Sequence, residues 1–107
     1  MKDVMINIRT KVSPDKILFC EADINYTRIY YQDRMEIIAV TLKDVEKRLD
    51  SQYFYRIHKS YLVNIQYVMP NDFSREILMP NQRSITVSRR RMSLFKKMLK
   101  HKHLIMA

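Results

Sequence analysis

The chain reads as a mostly β fold with one packed short helix and a basic amphipathic helix at its C-terminus, on three observations. The stretch Tyr53 to Val68 is dominated by β-branched and aromatic residues, the composition of strand. Internally, helical spacing is confined to Leu42, Val45 and Leu49, at i, i+3 and i+7. Beyond Ser88, Met92, Phe95, Met98 and Leu99 share one helical face while Lys96, Lys97 and Lys100 lie elsewhere.

Taken in order, Val4, Ile6 and Ile8 alternate with polar residues and suggest an edge strand. Ser13-Pro14-Asp15 makes a turn before a buried strand over Ile17 to Glu21. Asp23 to Arg28 is expected as a loop or strand junction leading into Ile29-Tyr30-Tyr31, after which Gln32-Asp33-Arg34 turns the chain back into Met35 to Val40. The chain contains no glycine, so left-handed positions are expected at Asn25, Asp33, Asn71 or Asn81. Thr41 is the N-cap of the short helix, with Asp44 at the capping-box position. In the central stretch, alternation sets Arg56, His58 and Ser60 on one side of an extended segment and Tyr53, Tyr55 and Ile57 on the other. One face is therefore apolar and the other offers donors. Asn71-Asp72 forms a turn, strands over Arg75 to Met79 and Arg83 to Val87 join across Pro80-Asn81, and Ser88 caps the last helix.

At 107 residues the chain is one domain, able to bury a core without staples. The single cysteine, Cys20, lies in the apolar run Ile17-Leu18-Phe19-Cys20 and reads as a buried, inert thiol, which fits a reducing cytoplasm. Met1 to Thr10 lacks the apolar region of a signal peptide, and no window approaches the ~18 apolar residues of a membrane span, so a soluble cytoplasmic protein is expected. The net charge of +9 is unevenly divided: residues 1 to 76 carry 12 Lys and Arg against 11 Asp and Glu, and residues 77 to 107 carry eight Lys and Arg and no acid. The basic character belongs to the last third, as a patch for a polyanion would.

Arg89, Arg90 and Arg91 fall at the start of the last helix, where the backbone dipole disfavours cations by roughly 0.3 to 1 kcal/mol each. Three such penalties are no stability device; the arginines either bend outward into solvent or grip phosphates and guanine edges. An enzyme needs a constellation that is missing. His58 and Ser60 lack an orienting carboxylate and a nucleophile elbow. His101-x-His103 has metal-like spacing but no further ligands, and without glycine no phosphate-cradling loop can be built.

The run Phe54-x-Arg56-x-His58-x-Ser60-x-Leu62-Val63-Asn64 resembles the signature of the LytTR DNA-binding domain, the output domain of many bacterial two-component response regulators. The likeness extends over about residues 12 to 100, through Glu21-Ala22-x-x-Asn25-Tyr26-Thr27, the helix Thr41 to Leu49, and the close Ile85 to Arg91. It implies small antiparallel sheets with a helix packed between them, binding duplex DNA through loops that enter successive major grooves on one side. In that arrangement the first loop brings Asn25, Thr27 and Arg28, Lys59 holds the intervening backbone, and Arg89, Arg90 and Arg91 come from the last segment. His58 and Asn64 are expected to shape the backbone, with Ser60 a local partner of His58, while Arg56 fits either role.

The function expected is sequence-specific double-stranded DNA binding in transcriptional regulation, without catalysis, cofactor, metal or membrane. Relatives in that family usually carry a receiver domain, for which 107 residues leave no room, so the chain is expected either to be one domain of a longer regulator with a receiver or sensor domain upstream or to stand alone. No sustained heptads are present, so a monomer that pairs on DNA half-sites is expected. The rival is a non-catalytic interaction module whose basic C-terminal helix docks on an acidic protein or an anionic membrane surface.

Overall fold

The computed structural model describes residues 2–69 and 75–106, with side-chain surroundings to Lys100. Its centre is a five-stranded antiparallel sheet in the order β5-β4-β3-β7-β6, formed by β3 (Phe19–Asp23), β4 (Tyr26–Tyr30), β5 (Met35–Ile38), β6 (Phe54–His58) and β7 (Tyr61–Asn64). Two-stranded sheets flank it: β1 (Val4–Met5) with β2 (Lys11–Val12), and β8 (Glu76–Leu78) with β9 (Ser84–Thr86). The helices are α1 (Leu42–Arg48) and α2 (Met92–Met106).

Period-two alternation gives the central sheet two buried faces. Cys20, Ile29 and Leu62 point into a core with Leu42, Val45 and Leu49 of the α1 segment and Ile6 and Val12 of the first hairpin. Their neighbours Phe19, Tyr30 and Val63 point into a second core with Ile77, Ile85 and Phe95, the last an anchor for α2. Phe19 stacks on Tyr30 with centroids 4.4 Å apart. The helical spacings work as read: Thr41 Oγ1 accepts from the Asp44 N–H at 3.3 Å, and Leu42, Val45 and Leu49 are buried. Burial pushes the Cys20 thiol up to about 12, leaving it protonated and unreactive.

Several expectations are corrected. The N-terminal alternation ends at Ile6, with Ile8 92% exposed, and the strand pairs with β2 instead of extending the main sheet. Asp23 to Arg28 is a tight hairpin: Asp23 and Tyr26 pair directly and leave a two-residue turn of Ile24 and Asn25. Among the described residues the left-handed ones are Ile24 (φ 56°) and Gln82 (φ 71°), not Asn25, Asp33 or Asn81, while Asn71 and the expected Asn71-Asp72 turn lie outside the described residues. A positive φ at the first of two turn positions is the pattern of a II′ hairpin, for which glycine is the natural occupant. Placing a β-branched side chain there costs about 1 to 2 kcal/mol, offset by the pairing of the flanking strands.

The central stretch folds back on itself at Lys59-Ser60, with an irregularity in register between Arg56 and His58, so the simple two-sided alternation fails at that point. At the far end Ser88 makes no side-chain cap; Arg89–Arg91 form a 3-10 turn, and α2 follows it and runs on through the Lys100 to His103 segment to Met106.

Candidate nucleic-acid interface

The strand register brings three distant segments to one end of the central sheet. Pairing of Glu21 with both Arg28 and Tyr61 sets the β3–β4 turn beside the β6–β7 turn, and the Ala22 N–H donates to the Ser60 carbonyl at 2.8 Å. On the other flank the Ser88 N–H donates to the Ile57 carbonyl at 2.8 Å, and Arg91 Nη1 donates to the Arg56 carbonyl at 2.8 Å. The turn at Ile24-Asn25, the turn at Lys59-Ser60 and the Arg89–Arg91 segment therefore line up across the sheet end. Asn25, Lys59, Arg89 and Arg90 are exposed there.

The middle turn is fixed by the polar residues of the central stretch. Arg56 donates from Nε to the His58 carbonyl at 3.1 Å, from Nη2 to the Lys59 carbonyl, and from Nη1 to Glu46 Oε1 at 3.0 Å. One guanidinium thus ties the turn to α1. His58 Nδ1 accepts from the Ser60 N–H at 3.1 Å, which places its ring proton on Nε2. Its partner in Ser60 is the backbone rather than the hydroxyl. Asn64 is buried; Nδ2 donates to the Ile17 carbonyl at 3.0 Å and the Pro14 carbonyl at 3.4 Å, and Oδ1 accepts from the Gln66 N–H at 3.0 Å. It locks β7 to the chain entering β3.

Two of the expected DNA-facing residues are placed differently. Thr27 is 0% exposed, and its hydroxyl donates to the Val40 carbonyl at 2.6 Å, because strand alternation turns it toward α1. It belongs to the hairpin's interior. Arg91 is half-buried, with one donor committed to the Arg56 carbonyl, so it anchors the segment from which Arg89 and Arg90 project.

Arg28 belongs to a cluster that sequence reasoning missed. Its Nη2 meets Asp23 Oδ2 at 2.7 Å and its Nη1 meets Glu21 Oε1 at 3.3 Å. Glu21, with a side chain only 13% exposed, also accepts from the Tyr61 hydroxyl at 2.6 Å and the Tyr30 hydroxyl at 3.1 Å. Arg83 lies over the Tyr30 ring, 4.9 Å from its centroid, with Nη2 4.0 Å from Glu21 Oε2. Burial alone would raise the Glu21 carboxyl, but hydrogen bonds from Tyr61, Tyr30 and Arg28 together with the Arg28 charge hold it below the ordinary range. The Glu21 bond and burial push the Tyr61 phenol up to about 12. The cluster could have been found only from the cross-strand register, since Glu21, Arg28, Tyr61 and Arg83 are scattered along the chain.

This end of the molecule offers cations and amide donors held at fixed spacing. Among the described residues no group of three or more His, Cys, Asp and Glu side chains is placed to hold a metal, and the side chains of His101 and His103 lie outside the described ones. No helix among the described residues is long and apolar enough to cross a membrane.

A family model described as the LytTr DNA-binding domain matches residues 8–100. The chain is 33% identical over 84 residues to the heme-containing CO-sensing transcriptional regulator RcoM 1 of Paraburkholderia xenovorans, covering 74% of this chain and 32% of that protein. It is 33% identical over 52 residues to the CO-responsive transcriptional regulator RcoM of Rhodospirillum rubrum, covering 49% and 22% respectively. The chain thus spans a third or less of the length of these curated relatives. Among solved structures, the LytTr DNA-binding domain of a putative methyl-accepting/DNA response regulator from Bacillus cereus superposes with a TM-score of 0.74 at 24% identity, over 92% of this chain and 98% of that one, and so shares the fold.

Proposed function

The chain belongs to the LytTr DNA-binding domain family, and from that premise we propose that it binds double-stranded DNA sequence-specifically in bacterial transcriptional regulation. The binding surface is the sheet end where the three segments meet. Arg89 and Arg90 reach base edges and phosphates in one major groove, the β3–β4 turn brings Asn25 and Arg28 to the next, and Lys59 holds the backbone between them. The observation that carries this is the alignment of exposed Asn25, Lys59, Arg89 and Arg90, from three parts of the chain, along one edge. The domain acts in the cytoplasm as a monomer that pairs on DNA half-sites, without catalysis or a cofactor of its own, and answers to a receiver or sensor domain of a longer regulator.

Docking of the terminal helix on an acidic protein or a membrane is less well supported. Phe95 is buried, and Met92 and Leu99 pack against the same core, so the apolar face of the helix as far as Lys100 is used internally.

The test is binding of duplexes selected from a random pool, measured as a function of salt. Neutralising about three to six phosphates gives a slope of log K against log salt of roughly −3 to −6. A slope near zero on the preferred duplex would refute DNA binding by this surface.

A further inference from the structure

Ile24 is the least economical residue at the candidate interface. It is 89% exposed at the tip of the β3–β4 hairpin, so its side chain gains nothing from the core. It also takes φ 56°, a left-handed conformation unfavourable to any L-residue and most of all to a β-branched one. An exposed isoleucine alone is unremarkable. Exposure combined with backbone strain is different, because neither packing nor local propensity accounts for isoleucine here, and strain of this kind collects at functional sites.

The neighbours indicate what the side chain meets. Exposed Asn25 shares the turn, and Arg28, pinned by Asp23 and Glu21, fixes the base of the hairpin, so the tip is a rigid finger carrying an apolar group between polar ones. In a major groove the one apolar feature of a base pair is the C5-methyl group of thymine, and aliphatic side chains recognise it by contact. Resting on the DNA-binding function proposed above, we propose that Ile24 is a specificity-determining residue that packs against a thymine methyl group in the groove entered by the first hairpin.

The experiment uses the full chain and the duplex it prefers from a random pool. Each thymidine is replaced singly by deoxyuridine, which keeps the pairing and removes only the methyl. For the wild type, one such replacement under the first hairpin is expected to weaken binding about fourfold, the ~0.8 kcal/mol of one buried methyl-sized group. Ile24→Gly, which relieves the strain, and Ile24→Asn, which tolerates the left-handed turn but is polar, should bind the dT and dU duplexes equally at that position. Both should melt no lower than the wild type, so the lost discrimination cannot be ascribed to unfolding. The inference is overturned if the wild type prefers a duplex yet ignores every dU replacement, or if either variant keeps the wild-type dT preference. A wild type that prefers no duplex at all overturns it together with the DNA-binding function, an outcome distinct from the other two.

Discussion

The first hairpin and the Arg89–Arg91 segment both set arginines at the same end of the sheet, but in opposite electrostatic states. Arg28 is held between two carboxylates within an antiparallel ladder, so its charge is largely compensated and its direction fixed. Arg89 and Arg90 project from a short 3-10 turn and, among the described residues, neither has a carboxylate partner. The difference teaches that position and attraction are supplied separately. The hairpin provides a rigid element with little net charge, and the last segment provides charge anchored by the one arginine, Arg91, that turns inward. An uncompensated cation releases counterions when it meets a phosphate, whereas a paired one must first give up its partner.

The largest expected effect lies on the uncompensated side. Arg90→Ala should lose about 1 to 3 kcal/mol of binding to the preferred duplex and relax preference at one or two base pairs, read by titration against single-site variants. Arg28→Ala should cost distinctly less affinity. Equal losses for the two would break the comparison, since they would show Arg28 meeting DNA as an uncompensated cation does, despite its carboxylates.

Glu21→Gln sharpens it from the other side. Removing the carboxylate weakens three hydrogen bonds to a mostly buried group and should lower stability by roughly 1 to 3 kcal/mol at neutral pH. The folded carboxyl titrates below its ordinary value of 4.5, so its contribution is complete above that pH and is lost as the pH falls through the folded value. Wild type and variant should therefore converge in urea unfolding as the solution is acidified below 4.5. The variant should also bind all DNA sequences more tightly, because Arg28 and Arg83 lose their negative neighbour; weaker non-specific binding would show that Glu21 serves the interface by direct contact instead.

Lys59→Ala should act through charge alone, flattening the salt slope by about one and weakening preferred and random duplexes alike. A change in base preference would promote Lys59 from holding the backbone to reading it. The smallest effect concerns pairing. If two domains sit on one face of the duplex, inserting five base pairs between half-sites should weaken joint occupancy and inserting ten, about one helical turn, should largely restore it. Insensitivity to spacing would mean that the copies bind independently.

Local chemistry was legible in the sequence. The α1 segment followed from the spacing of Leu42, Val45 and Leu49 and the cap at Thr41, because helical periodicity and capping involve residues within one turn of each other. The buried thiol of Cys20 followed from its apolar neighbours, and the backbone role of His58 from the proximity of Ser60. Lys59, Arg89 and Arg90, which charge distribution and a specific motif single out, are exposed.

Whatever depended on partners far along the chain was not. Thr27 sits in the same short run as Asn25 and Arg28, and only the pairing register shows that it turns inward to Val40 while Arg28 turns to Glu21. In the same way, Arg91 cannot be separated from Arg89 and Arg90 until β6 lies beside it. The left-handed positions went to Ile24 and Gln82 because the hairpin's length and pairing fix where the chain must reverse, and strand pairing can outweigh a turn residue's own preference. Composition and periodicity thus determined the fold class and the sign of the surface, since both are sums over local properties. Which cation is exposed and which is compensated was decided by tertiary structure, because it depends on long-range register that no local pattern encodes.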